Sequence, residues 1–106
     1  MSEATIEVLF FRGCPNHRPA VELVRETMRE LGLELRVQEV EIGTEADAER
    51  LRFLGSPSIR LNGEDIEPEA RSRTAYAMSC RVYGTSGLPP KDLLVTALVA
   101  GAEPAA

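Results

Sequence analysis

The stretch Ile6-Glu7-Val8-Leu9-Phe10-Phe11-Arg12-Gly13-Cys14-Pro15-Asn16-His17, residues 6–17, decides the fold. Its first half is rich in strand formers and almost continuously apolar after Glu7, the pattern of a strand buried within a sheet. Arg12 to His17 breaks that strand. Beyond the break, Val21, Val24, Met28 and Leu31 recur every three or four residues and share one face of a helix. Glu22, Arg25, Glu26, Arg29 and Glu30 fill the other face, and Gly32 is a natural stop. Leu33 to Val40 then alternates in period two, with a slip near Glu39 that marks a bulge or an edge. A strand, a helix and a second strand make a βαβ unit, whose strands lie parallel.

Further along, Thr44 followed by Asp47 predicts an N-cap with an acidic first turn. The short helix it opens is expected to run to about Leu54, with Ala48, Leu51 and Leu54 inward and Gly55 as its stop. Ser58-Ile59-Arg60-Leu61 alternates again, and Asn62-Gly63 is the strongest short hairpin signal, so Asp65-Ile66-Glu67 is the returning strand. Pro68 to Gly87 is irregular. Leu88-Pro89-Pro90 leads into a last helix from Lys91 to Ala100, with Leu94, Ala97, Leu98 and Gly101 as its packing stripe.

The order β-α-β-α-β-β-α predicts an α/β fold, a four-stranded mixed sheet flanked by helices. A chain of 106 residues holds one domain with one core. Its core is expected over 5–101, with a frayed tail at 102–106. The formal net charge of −5 argues against nucleic acid or an anionic membrane as partner. Met1-Ser2-Glu3-Ala4-Thr5 lacks the features of a secretory signal, so the expected location is cytoplasmic, where thiols stay reduced. Two cysteines, Cys14 and Cys80, are too few for a disulfide scaffold.

Chemistry is expected at two places. In Gly13-Cys14-Pro15-Asn16-His17, a thiol just ahead of a helix start is favoured as thiolate by the positive end of the helix dipole. A protonated His17 adds to that, and Arg12 and Arg18 add less. Pro19 suits a first helical turn, which starts the regular helix near Arg18 and leaves Cys14 in the loop. In Gly55-Ser56-Pro57-Ser58-Ile59, Pro57 belongs at the first position of a strand. A cis Ser56–Pro57 bond would leave the Ser56 backbone groups free to meet an extended partner.

The stretches Phe10 to His17 and Phe53 to Gly63 together resemble the thioredoxin fold, in place of its redox-active loop and its cis-proline segment. With the stretch Cys80 to Pro90 added, the chain resembles the small bacterial thioredoxin-like proteins called DF family (seleno)proteins. The resemblance runs from Thr5 to Gly101 and implies a single thioredoxin-like domain. In that group the residue aligned with Cys14 can be selenocysteine, which implies redox work there. Thioredoxins carry Cys-x-x-Cys, whereas the second position here is His17, so resolution falls to a small thiol or to Cys80.

The leading expectation is therefore a thiol-disulfide oxidoreductase. Cys14 is its nucleophile, His17 tunes it, and Cys80 is the candidate resolving cysteine. Pro15, Ser56, Pro57 and Ser58 position a thiol or disulfide substrate, protein or small molecule, and no cofactor is called for. One alternative is a soft-metal protein binding zinc, copper(I) or a mercurial through Cys14, Cys80 and His17, with carbon–mercury cleavage as an offshoot. Another is a thioredoxin-fold interaction module without turnover. Arg71, Arg73 and Arg81 are either contacts for an anionic substrate such as a glutathione carboxylate or a solvated loop face. Tyr76 and Tyr83 are expected to anchor that loop.

Overall fold

In the computed structural model, which describes residues 4–102, β1 spans Thr5–Phe10 and lies inside the sheet. Its alternating side chains explain the apolar run. Ile6 and Val8 are buried on one face, and Leu9 is buried on the other. β1 pairs in parallel with β2, Arg36–Glu41, and antiparallel with β3, Ser58–Leu61. β3 turns through Asn62-Gly63 into β4, Glu64–Asp65, giving the order β2-β1-β3-β4. Both turn residues have positive φ, +53° and +86°, the conformation that Asn-Gly supplies with least strain.

Three helices flank this mixed sheet: α1 at His17–Leu31, α2 at Glu45–Arg50 and α3 at Lys91–Ala102. α1 and α3 pack over one face, where Val24, Leu94 and Leu98 are fully buried against Ile6, Val8 and Ile59. Burying each of these leucines contributes about 1.5–3 kcal/mol. The other face holds a smaller cluster of Leu9, Ile42, Ala48 and Phe53, under α2. The charged face expected on α1 is exposed, and Gly32 ends the helix at φ +68°. There the amides of Gly32 and Leu33 return to the carbonyls of Arg29 and Met28, closing the open end.

The boundaries shift in several places. β2 starts at Arg36, because Leu33 and Leu35 lie in the connection, packed at the edge of the core. β4 is one residue earlier than expected, since Ile66 returns its amide to Ile59 just beyond the regular ladder. α2 does carry the Thr44 cap, whose hydroxyl accepts from the Asp47 amide at 3.0 Å. It stops at Arg50 because Arg52 turns to φ +55°, and the inward side chain is Phe53, while Leu54 is only half-buried. Gly55 is thus no helix stop. Within the irregular stretch, Pro68–Ser72 forms a 3-10 helix. The tail expected at 102–106 falls outside the described residues except for Ala102, which ends α3. No described helix is long and apolar enough to cross a membrane.

Truncating a fully buried side chain of the larger cluster should show its weight. Leu98→Ala is expected to cost about 2–5 kcal/mol in a urea titration. Val99→Ala, one residue on and 45% exposed, should stay within about 0.5 kcal/mol of the parent chain.

Candidate functional site

Two successive tight turns carry the chain out of β1. The Cys14 amide donates to the Phe11 carbonyl at 3.2 Å, and the His17 amide donates to the Cys14 carbonyl at 3.2 Å. Gly13, at φ +89°, makes the first turn without side-chain strain. Asn16 is the N-cap residue of α1, but its side chain caps nothing. Cys14 therefore sits two residues ahead of the cap, in the loop, as the position of Pro19 suggested. Its side chain is nearly buried, at 9% exposure, while Pro15 beside it is exposed.

His17 opens the helix with its imidazole stacked flat on Phe10, the ring centres 3.5 Å apart and the planes within 5°. Its Nε2 lies 2.7 Å from Oε1 of Glu39 on β2. Glu39 is a site residue that sequence reasoning missed, although the slip in the β2 pattern fell on it.

Ser56 is the hub. The Ser56–Pro57 bond is cis, and both residues are buried. Ser56 Oγ accepts from the Phe11 amide at 3.3 Å, which ties it to the turn that carries Cys14. Its main chain pairs in parallel with Cys80. The Ser56 amide donates to the Ser79 carbonyl at 2.7 Å, and the Arg81 amide donates to the Ser56 carbonyl at 2.9 Å. The edge expected to be free for an extended partner is thus filled by the chain itself. Gly55 permits the approach: at φ +121°, a Cβ on it would meet the Cys80–Arg81 backbone at 3.0–3.2 Å. One residue thereby links the two cysteine-bearing segments.

Arg81 holds this arrangement from beneath. It is 3% exposed, and its guanidinium reaches Asp65 at 2.8 and 2.9 Å, Ser58 Oγ at 3.0 Å and Glu67 at 3.1 Å. Its Nε has no partner, and the Tyr83 ring lies 4.6 Å from the guanidinium carbon. Burial works against the charge, but the bonds from Asp65, with Glu67 behind them, outweigh it and hold Arg81 above the ordinary arginine range. Burial also pushes the Tyr83 phenol up, and its hydroxyl donates to the Pro57 carbonyl at 2.8 Å.

Arg81 therefore belongs to the protein's interior, neither to a substrate nor to a solvated face. Arg71 and Arg73 bond the Asp65 carbonyl and Glu67. With Arg52, Arg60 and Tyr76 they line a cavity of about 270 Å³ that neither cysteine adjoins. Ser58 spends its hydroxyl on the Gly55 carbonyl and on Arg81, so it braces the site from inside. Cys80 is exposed, on a segment pinned at both neighbours, and both cysteines are free thiols. Among the described residues, no three His, Cys, Asp or Glu side chains converge to hold a metal ion. Cys14, His17 and Cys80 thus form no ready ligand set.

The model of a family described as a domain of unknown function (DUF2703) matches residues 16–97, most of the chain. The chain belongs to that family. No curated protein matches it. The DUF2703 stretch takes in His17, Glu39, Ser56, Pro57, Cys80 and Arg81, and it begins two residues after Cys14.

Removing one side of the buried pair should be costly. Arg81→Met leaves Asp65 uncompensated and is expected to destabilise the chain by about 3–5 kcal/mol, read from the denaturant midpoint. Adding Asp65→Leu to that variant should recover most of the loss.

Proposed function

We propose that the chain is a thioredoxin-like thiol-disulfide oxidoreductase working through Cys14 and Cys80. The observation that carries this reading is the position of Ser56, which bonds the Cys14 turn through its hydroxyl and the Cys80 segment through its main chain. The element order, the parallel β1–β2 pair and the proline at the start of β3 support the fold assignment.

In the proposed cycle the Cys14 thiolate attacks one sulfur of a disulfide RSSR, and the first RS⁻ leaves. The Cys80 thiolate then attacks the Cys14 sulfur of the mixed disulfide and expels the second RS⁻. Two electrons pass to RSSR, which becomes two thiols, and the chain is left with a Cys14–Cys80 disulfide. An external dithiol restores it. His17, held by Glu39, is assigned the proton transfers of the exchange.

Mild oxidation followed by non-reducing peptide mass spectrometry should find the Cys14–Cys80 link. Cys80→Ser should accumulate a Cys14 mixed disulfide with the substrate half, and Cys14→Ser should abolish turnover. Unlinked cysteines together with full activity in Cys14→Ser would sink the mechanism. His17→Gln is expected to slow turnover of a model disulfide about tenfold or more, with the link still forming.

A further inference from the structure

Resting on the Cys14–Cys80 reading, we infer that the substrate is a small-molecule disulfide and not an extended polypeptide, because the Ser79–Arg81 segment already occupies the backbone edge beside the active thiol. A peptide that docks as an added strand draws its affinity from pairs of main-chain hydrogen bonds to an open edge. At Ser56 both groups are spent, on the Ser79 carbonyl at 2.7 Å and the Arg81 amide at 2.9 Å.

The segment is not lightly displaced. To swing away, Arg81 would have to leave Asp65, Glu67 and Ser58, stranding the buried Asp65 carboxylate. Tyr83 adds a second anchor two residues later, through the Pro57 carbonyl. Room for movement toward Gly55 is small as well, since even a single Cβ there would meet the Cys80–Arg81 backbone at 3.0–3.2 Å. Cys14 itself is only 9% exposed, so a partner meets it over a small area. A low-molecular-weight disulfide needs only that area, with exposed Cys80 on the segment bridged to Ser56 to complete the exchange. The stoichiometry is that of the proposed cycle: one disulfide is reduced to two thiols while the cysteine pair is oxidised.

The test uses the reduced wild-type chain and two substrates with the same leaving group. One is bis(2-hydroxyethyl) disulfide. The other is a linear, strand-forming peptide whose cysteine carries 2-mercaptoethanol in mixed disulfide. Rates of thiol release are each divided by the rate for dithiothreitol with the same substrate, which removes intrinsic reactivity. The normalised rate should be at least about tenfold higher for the small disulfide, since the peptide gains no edge hydrogen bonds and meets a filled edge. In Cys80→Ser trapped with the small disulfide, the Arg81 amide should stay protected from hydrogen exchange. Equal or faster reaction of the peptide, or loss of Arg81 protection in the trapped species, overturns the inference and leaves the redox reading standing. Failure of Cys14 to react with either substrate overturns the redox reading itself.

Discussion

The buried contact between Arg81 and Asp65 is the interaction on which the cysteine-bearing end of this fold depends. An arginine in the interior costs desolvation, and it is retained only where its donors find oxygen. Here Asp65 takes a two-pronged bond from β4, Ser58 takes a third from β3, and Glu67 a fourth from the chain just past β4. The long segment after Ala70 buries few of its apolar side chains. A charged clamp does that work in place of a core. Because Arg81 neighbours Cys80, fixing the guanidinium also fixes the backbone on which the second thiol rides.

Ser56 answers that clamp from the other side. Its hydroxyl takes an amide from the turn after β1, and its backbone takes the strand-like segment around Cys80. Cys14 and Cys80 are 66 residues apart in sequence, yet the segment that carries each is bonded to Ser56. The sheet makes this economical. β1 and β3 are adjacent and antiparallel, so the end of the first and the start of the second lie side by side.

The periodic parts of the chain were readable because burial on a helix or strand leaves a repeat. The Val21, Val24 and Met28 stripe, the alternation of Ser58 to Leu61 and the Asn62-Gly63 turn each led to the element found. Thr44 capping α2 was legible for a similar reason, since the cap is a local hydrogen bond between residues three apart. Boundaries shifted where a nonlocal contact competed, as at Phe53, which goes into the core from beyond a turn that no repeat announces. Arg81 was opaque for a different reason. An arginine in an irregular stretch reads as solvated, and its acidic partners lie 14 and 16 residues away, beyond the 3-10 helix. The occupied edge at Ser56 was hidden with it, because Arg81 is what brings that segment in. The pairing of His17 with Glu39 likewise crosses from α1 to β2 and leaves no local signature.

The stacking of His17 on Phe10 has a spectroscopic side. The chain has one histidine and no tryptophan. That imidazole lies flat over a phenyl ring, 3.5 Å between centres, at the foot of the turn carrying Cys14. Ring current from Phe10 shields protons held above its face, which displaces the histidine ring signals from their usual place in a proton spectrum. With a single imidazole in the sequence those signals need no assignment by mutation. The protein thus carries a resident, label-free reporter beside Cys14, sensitive to any event there that tilts or lifts the ring.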